Sequence, residues 1–230
     1  MKLGLIVFDV DGTLTHSSNL PDGDVSSALR DLERRGIRIA LSSGKPVYYL
    51  EALVECLGLR MPIIVAENGC IIIDVAERKE MWACERNPAM LEIRRKILDR
   101  FPNSVKEQEN RVEITLFIDD KYLFEEIASQ IKYLVKQSED KVHMYESEGG
   151  FDIMPSGVDK GTALTKLKEM YGFSKERVAA VGNGENDIPM LREAGIALII
   201  GSRISHPTIA NINSIQEALA FLAAHENSHW

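Results

Sequence analysis

A short apolar segment near the N-terminus leads directly into two acidic residues, and this feature restricts the fold more than any other. Leu3 to Val7 has the length and composition of a buried strand, and Asp9 and Asp11 stand where that strand ends, followed by the turn-forming Gly12. In an open α/β sheet, ligands bind outside the carboxyl ends of the strands. One carboxylate there can attack an electrophile such as phosphorus, while the other works as general acid and base. The same residues also suit an Asx-turn with two solvated acids, so the motif alone leaves both interpretations open.

Strand and helix patterns alternate as far as Asp74. Such alternation predicts right-handed crossovers and a parallel sheet. Asn68-Gly69 predicts a tight turn into a further strand, from Cys70 to Asp74. The elements predicted before that turn are a strand at 3–7, a helix that begins at Asp22 or Asp24 and ends at Arg35, a strand at 37–41, a helix at 46–57 and a strand at 63–66.

The pattern changes near Ala76 and resumes after about residue 152. None of the intervening segments resembles a catalytic loop, so we predict that residues 80–152 form an inserted domain and that 1–79 and 153–230 form one core domain. The predicted fold is α/β, with a doubly wound, parallel-sheet (Rossmann-like) core and a smaller inserted α/β cap domain. The remaining predicted elements are an irregular stretch at 76–87, helices at 88–100, 122–135, 159–171, 188–193 and 214–224, and strands at 112–118, 141–145, 178–181 and 196–200.

Composition restricts the partners and the compartment. A net charge of −8 makes broad binding to nucleic acid or to an anionic membrane unexpected, so an anionic substrate would need locally placed cations or a metal. Cys56, Cys70 and Cys84 lack metal-type spacing, and a sparse, odd number of cysteines suits a reducing cytoplasm. The N-terminal apolar segment is too short for a signal peptide or a membrane span. We therefore expect a cytoplasmic protein. Its oligomeric state, monomer or homodimer, does not follow from the composition.

Four polar segments lie where strands end or helices begin. They contain Asp9 with Asp11, Ser43, Lys160, and the run from Gly182 to Asp187. Each has an ordinary explanation by itself: Ser43 as a helix N-cap, Lys160 as a solvated surface lysine, and the last run as a polar turn. Their joint occurrence at such positions is harder to reach by accident and favours one shared site.

These segments resemble the four motifs of the haloacid dehalogenase superfamily of phosphotransferases. The first motif is similar to residues 9–15, the second to Ser42-Ser43-Gly44-Lys45, the third to Asp159-Lys160-Gly161 and the fourth to residues 182–191. An insertion between motifs two and three is similar to members with an α/β cap of the second kind, as are residues 66–69 and 153–155. Within that group the chain most resembles the archaeal phosphoglycolate phosphatases and their sucrose-phosphate-phosphatase-like relatives.

The resemblance implies a role for each matching residue. Asp9 would attack phosphorus and form an aspartyl-phosphate, and Asp11 would protonate the leaving alcohol and then activate water. Ser43, Gly44 and Lys160 would bind the phosphoryl group. Mg²⁺ would be held by Asp9, Asp11 and a residue of the fourth motif, with Asn183 and Asp187 as candidates. Residues that could contact the rest of the substrate are Lys45, Asn68, Arg111 and Glu113, although a solvated cation at a strand end is the slightly favoured interpretation of Arg111.

One residue departs from the pattern of the family. The second position of motif four is a magnesium-binding Asp in most relatives and is Asn183 here, which has an amide oxygen but no carboxylate charge. The expected activity is magnesium-dependent hydrolysis of a small phosphate monoester, with 2-phosphoglycolate as the best candidate. A phosphatase for a sucrose-phosphate or mannosyl-phosphate type of substrate is the main alternative. A phosphomutase is less favoured, and so is a non-catalytic binding module, which only Asn183 supports.

Overall fold

A computed structural model of the chain describes residues 2–15, 21–147, 149–201 and 209–227. The chain forms two compact units, one made of Met1–Ala83 with Asp159–Trp230 and the other of Cys84–Val158. The predicted limits of the inserted segment, 80 and 152, each fall inside a strand. Lys79–Trp82 pairs within the sheet of the first unit, and Gly150–Pro155 pairs within the sheet of the second.

The secondary structure follows the predicted alternation, and every predicted helix is present with its ends shifted by a few residues at most. The strands in the described part of the chain are β1 (Leu5–Asp9), β2 (Arg38–Ser42), β3 (Ile63–Ala66), β4 (Ile71–Asp74), β5 (Lys79–Trp82), β6 (Val105–Glu107), β7 (Ile114–Ile118), β8 (Val142–Ser147), β9 (Gly150–Pro155), β10 (Val178–Gly182), β11 (Ile196–Ile200) and β12 (Ala210–Ile212). The helices are α1 (Gly23–Arg34), α2 (Val47–Leu57), α3 (Pro88–Arg100), α4 (Phe124–Lys136), α5 (Lys160–Tyr171), α6 (Ile188–Glu193) and α7 (Ile215–Asn227). None of these helices, within the residues described, is long and apolar enough to cross a membrane.

The first unit is built on an eight-stranded sheet in the order β12-β11-β10-β1-β2-β3-β4-β5. The strands from β12 to β3 are parallel, and β4 and β5 add an antiparallel hairpin at one edge. β1, β2, β3 and β10 are buried along almost their whole length, as expected for strands covered on both faces. The predicted doubly wound, Rossmann-like core is therefore confirmed.

The register of the sheet brings the strand ends together. The first strand was predicted at 3–7, but β1 extends to Asp9, whose Cα lies opposite that of Ser42 on β2. On the other side of β1, Phe8 lies opposite Val181 of β10. Because parallel strands end at one edge, the segments after β1, β2, β3 and β10 all emerge on the same side of the sheet.

The second unit has its own antiparallel sheet, in the order β6-β7-β9-β8, and its own apolar core. Helices α3 and α4 contribute Ile93, Ile97, Ile127 and Ile131 to that core. Asn87 caps α3 by accepting a 3.0 Å hydrogen bond from the backbone N–H of Met90. The inserted unit is thus a smaller α/β domain, as predicted.

Four strands were not predicted, for identifiable reasons. β5 lies in the stretch predicted to be irregular; three of its four residues are exposed, and two of the four are charged. β6 and β12 have three residues each, too few to show a period. β9 begins with Gly150 and ends with Pro155, which are turn signals, although it is an interior strand of its sheet.

Candidate active site

The end of β1 presents one carboxylate to the interior and one to the surface. Asp9 is buried, and its Oδ1 accepts a 2.7 Å hydrogen bond from Lys160 Nζ. Its Oδ2 is also buried and has no hydrogen-bond partner among the described residues. Two residues later, the side chain of Asp11 is 46% exposed. Gly12, with φ of +79°, begins the turn that follows Asp11, and its N–H donates to Thr15 O at 2.7 Å.

Lys160 links Asp9 to the fourth motif. Its Nζ lies 2.7 Å from Asp9 Oδ1 and 2.7 Å from Asp187 Oδ1, and the lysine is almost completely buried. The lysine is the first residue of α5, and Asp159 caps that helix by accepting a 2.7 Å hydrogen bond from Thr162 N. The cap fixes the start of the helix, so the lysine enters the site at a defined angle.

Asp187 holds the loop after β10 in shape. Its Oδ2 accepts hydrogen bonds from the backbone N–H groups of Asn183, at 2.8 Å, and Gly184, at 2.9 Å. Since Oδ1 binds Lys160, both oxygens of this buried carboxylate are occupied. The Asn183 side chain lies against Gly12, where an added Cβ would come within 2.0 Å of Asn183 Nδ2. The loop therefore offers the amide of Asn183, rather than the carboxylate of Asp187, toward the turn after β1.

The segment after β2 adds a hydroxyl and a second cation. Ser43 Oγ donates a long hydrogen bond to Asp11 Oδ2, at 3.4 Å, and accepts one from Lys45 N, at 3.2 Å. Lys45 Nζ lies 3.7 Å from the same Asp11 oxygen, and its side chain is 33% exposed. Gly44 lies between them in the turn. Burial, helped by the charge of Asp11, raises the pKa of the neighbouring Tyr49.

Asn68 is placed differently from Lys45, the other predicted substrate contact in the first unit. It lies in the short turn after β3 and is completely buried. Its Oδ1 accepts a 3.1 Å hydrogen bond from Nδ2 of Asn186. Asn186 was not singled out from the sequence, although it stands within the fourth motif next to Asp187.

The other two predicted contacts, Arg111 and Glu113, lie in the second unit just before β7. Arg111 is exposed, whereas Glu113 is buried, with the Thr115 hydroxyl 2.8 Å from its Oε1. The same hydroxyl lies 2.9 Å from Asp152 Oδ1 on β9. This network gives Glu113 a structural function within its own unit, and a role in substrate binding stays a prediction for both residues.

Burial and charge shape the ionisation of the site. Burial, together with the charge of Asp187, raises the pKa of Asp9 to about 7, although Lys160 acts to lower it. Burial acts to lower the pKa of Lys160, but the carboxylates of Asp187 and Asp9 outweigh it and raise that pKa above its usual value. The lysine therefore stays protonated, and it holds a buried positive charge beside the unpartnered oxygen of Asp9.

The arrangement suits nucleophilic attack on a phosphate ester, and its oxygen donors suit a hard divalent cation. The unpartnered Asp9 Oδ2, the Asn183 amide and the backbone carbonyl of Asp11 are donors of the kind that Mg²⁺ prefers. In the part of the chain that the structure describes, there is no cluster of three or more His, Cys, Asp or Glu side chains suited to a metal.

Comparison with known proteins gives consistent matches. A family model described as haloacid dehalogenase-like hydrolase matches residues 6–143 and 92–206. A phosphoglycolate phosphatase of Sulfolobus acidocaldarius is 31% identical over 205 residues, covering 86% of this chain and 83% of that protein. The 5-amino-6-(5-phospho-D-ribitylamino)uracil phosphatase of Bacillus subtilis is 29% identical over 214 residues, covering 88% and 85%. A crystal structure of a haloacid dehalogenase-like hydrolase from Bacteroides thetaiotaomicron has a TM-score of 0.81 at 20% identity, covering 97% of this chain and 100% of that one, a likeness of fold.

Proposed function

The chain belongs to the haloacid dehalogenase-like hydrolases and is a phosphoric monoester hydrolase, and we propose that it acts on a small phosphate monoester with a second anionic group, 2-phosphoglycolate being the best candidate. The family predicted from the motifs is confirmed. The observation that supports the proposed chemistry best is the buried Lys160 ammonium, which binds one oxygen of Asp9 and leaves the other without a partner at the end of β1.

In the proposed mechanism, Asp9 Oδ2 attacks phosphorus, and the bond from phosphorus to the ester oxygen breaks. Asp11 gives its proton to the leaving alkoxide, so an alcohol departs and an aspartyl-phosphate remains. Asp11, now a carboxylate, then takes a proton from water, which attacks phosphorus and releases phosphate. Lys160 offsets the negative charge of the transferring group, and Ser43 and the backbone at Gly44 donate hydrogen bonds to its oxygens.

Phosphatases of this family generally use Mg²⁺, and we propose the same for this chain. The Asp9 carboxylate, the carbonyl of Asp11 and the amide oxygen of Asn183 would hold the ion. When bound, it supplies positive charge that lets a phosphate dianion approach several carboxylates. Asp187 would act mainly as a support, since its two oxygens already bind Lys160 and the backbone of the loop.

The choice of a second anionic group in the substrate rests on Lys45. Its ammonium lies next to the proposed acid–base residue, and its side chain is partly exposed, so it can reach a carboxylate carried on the leaving group. The name of the relative from Sulfolobus acidocaldarius points to the same substrate. A phosphorylated sugar or polyol is the second candidate, because the name of the Bacillus subtilis relative describes a phosphoribityl substrate.

We further propose that the second unit, Cys84–Val158, serves as a cap that selects the substrate, with Arg111 and Glu113 as candidate contacts. We also propose that the enzyme acts in the cytoplasm.

The test is a set of kcat/KM values, measured with Mg²⁺, for 2-phosphoglycolate, sucrose-phosphate, mannosyl-phosphate compounds and p-nitrophenyl phosphate. Asp9→Asn serves as the inactive control. Lys45→Met should raise KM for 2-phosphoglycolate by roughly tenfold if the contact is worth about 1.4 kcal/mol, while KM for p-nitrophenyl phosphate stays nearly unchanged. Lys79→Met, at an exposed lysine of β5, is the matched control. A preference for a sugar phosphate, or equal effects of Lys45→Met on both esters, would contradict the proposed substrate.

A further inference from the structure

The turn formed by Glu67–Gly69, after β3, touches each of the other polar segments that surround Asp9. We propose that Asn68, at its centre, is a positioning residue that holds Lys160 and Asp187 in register with the segment after β2, and that it does not contact substrate. The inference rests on the proposed function only in taking Lys160 and Asp187 as parts of the phosphoryl-transfer site. It assigns to Asn68 a role different from the substrate contact expected from the sequence.

The backbone of the turn fastens the segment that carries Ser43. Asn68 N donates to Ser43 O at 3.0 Å, and Glu67 N donates to Lys45 O at 3.2 Å. The N–H of Ser43 in turn donates to Val65 O at 3.0 Å, on the strand that leads into the turn. The serine and lysine next to Asp11 are therefore held in place by the Glu67–Gly69 turn.

The side chain of Asn68 reaches the loop after β10. Asn186 Nδ2 donates to Asn68 Oδ1 at 3.1 Å, across a sequence separation of 118 residues. Asn186 immediately precedes Asp187, whose oxygens bind Lys160 and the backbone of the same loop. A shift of Asn186 would move Asp187, and Asp187 is the carboxylate that shares the Lys160 ammonium with Asp9.

The third contact is at the start of α5. A Cβ added to Gly69 would lie 2.3 Å from the carbonyl oxygen of Asp159 and 3.3 Å from Ala163 Cβ. Asp159 is the N-cap of the helix whose first residue is Lys160. The close approach requires glycine, as does the φ of +107° at Gly69. The turn therefore packs directly against the residue that precedes the lysine.

The backbone conformation of the Glu67–Gly69 turn indicates that contacts with the surrounding residues impose it. Glu67 and Asn68 have φ of 53° and 52°, in the left-handed region that L-residues seldom adopt. Such conformations persist only where neighbouring contacts over-determine them, and they concentrate at functional sites. Asn tolerates this region better than most residues, so Asn68 combines a left-handed backbone, a backbone donor and a side-chain acceptor.

The test compares two substitutions that remove the same hydrogen bond from opposite sides. Asn68→Gly keeps the left-handed backbone and deletes the amide, whereas Asn186→Ala deletes the donor without touching the turn. We expect each to lower kcat for p-nitrophenyl phosphate by roughly 10- to 100-fold, since small misplacements of reacting groups cost about that much, with KM changed little. The double variant should lose hardly more than either single one, because the residues act through one contact. Arg78→Gly, at another left-handed residue, is the matched control and should leave kcat unchanged.

A second measurement is independent of turnover. The backbone N–H groups of Asn183 and Gly184 donate to Asp187, so their hydrogen exchange reports whether that carboxylate is held in place. Exchange at these two amides should accelerate in Asn68→Gly and Asn186→Ala but not in Arg78→Gly, at temperatures where all variants are folded. Unchanged exchange, additive losses of kcat, or a loss confined to KM and differing between esters would overturn the assignment. Failure of the wild type to prefer 2-phosphoglycolate would contradict the proposed substrate alone.

Discussion

Lys160 binds two carboxylates through one ammonium group, and the two carboxylates differ in what remains available to them. Asp187 gives one oxygen to the lysine and the other to two backbone N–H groups. Asp9 gives one oxygen to the lysine and keeps the other unpartnered within the described residues. Lys160 therefore pairs with two carboxylates of different function: Asp187 is a structural support, and Asp9 is a candidate nucleophile.

Asp11 differs from Asp9 in exposure, and the difference supports its assignment as the acid and base. We predict that Asp11→Asn slows turnover of an alkyl phosphate by roughly 10²- to 10⁴-fold, the usual weight of general acid–base catalysis. The loss should be smaller with p-nitrophenyl phosphate, because p-nitrophenolate leaves without needing a proton. Steady-state rates for both esters test this. Equal losses on the two esters would remove Asp11 from the role of acid.

Asn183 provides the second prediction at this scale. Its side chain lies against Gly12, next to the proposed metal donors, and a carboxylate there would add one negative charge. Asn183→Asp should therefore lower the Mg²⁺ concentration needed for half-maximal activity, by roughly tenfold if the change is worth about 1.4 kcal/mol. Asn183→Ala should raise it. The measurement is a titration of initial rates at saturating substrate, with calorimetric Mg²⁺ binding as a check. An unchanged or higher requirement in the Asp form would place Asn183 away from the metal.

Among the secondary-structure elements, α5 is fastened at both ends. Its first residue is Lys160, and its last, Tyr171, donates a hydrogen bond to Asp74 Oδ2 at the end of β4. Arg38, at the start of β2, donates to the same oxygen at 2.9 Å, and its guanidinium lies 4.3 Å from the centre of the Tyr171 ring. This cluster stands at the edge of the sheet where β2 begins, opposite the edge that carries the site. It fixes the far end of the helix that delivers the lysine.

The Arg38–Asp74–Tyr171 cluster predicts a pH-dependent contribution to stability. Burial acts to raise the pKa of Asp74, but hydrogen bonds from Tyr171 and from the Glu77 backbone, with the charge of Arg38, lower it below its usual value. A lowered folded-state pKa stabilises the fold above the ordinary carboxyl pKa, about 3.9, and the stabilisation is lost as pH falls through the folded value. Asp74→Asn should cost about 1–3 kcal/mol of unfolding free energy near neutral pH, and less below about pH 4.

Denaturant unfolding followed by circular dichroism, at a series of pH values, checks this prediction. Arg34→Gln serves as a matched control, because the Arg34–Asp31 pair is exposed on α1 and surface pairs contribute little. A difference between wild type and Asp74→Asn that stays constant down to acid pH would show that the charge of Asp74 is not what stabilises the cluster.

Some secondary-structure elements could be predicted from the sequence, and others could not. The core strands are continuous apolar runs with polar residues at their ends, so both the parallel sheet and the meeting of Asp9, Ser43 and the 182–187 loop could be expected. β9 could not, because Gly150 and Pro155 resemble turn residues and only the pairing with β7 and β8 makes the segment a strand. Two features of the site depend on the directions of side chains in loops that are distant in sequence, and no local pattern predicts them. One is the hydrogen bond between Asn68 and Asn186, and the other is that both oxygens of Asp187 already accept hydrogen bonds.

The whole molecule consists of two units, each with an apolar core of its own. The core of the first unit joins residues from both of its segments, such as Val7 on β1 and Leu164 on α5. The core of the second unit is made entirely of residues between Met90 and Ile153. These two clusters of described residues thus each lie within one unit, and removal of Cys84–Val158 deletes no member of the first of them.

The last prediction follows from that separation. A chain in which Cys84–Val158 is replaced by a flexible Gly/Ser linker should fold, because β5 and the core of the first unit are retained. It keeps Asp9, Asp11, Ser43, Lys160 and Asp187, so it should retain activity on a small ester such as p-nitrophenyl phosphate. It should lose the preference for its natural substrate, because a cap contributes by excluding water and contacting the leaving group.

The measurement is the ratio of kcat/KM for 2-phosphoglycolate to that for p-nitrophenyl phosphate, in the intact and the shortened chain. We expect the ratio to fall by roughly tenfold or more, about 1.4 kcal/mol of selectivity. Asp9→Asn in the shortened chain is the control that assigns residual activity to the same site, and circular dichroism establishes that the chain is folded. A folded, shortened chain with the full substrate ranking would mean that the first unit alone selects the ester, and Lys45 would then be the residue to examine for that selection.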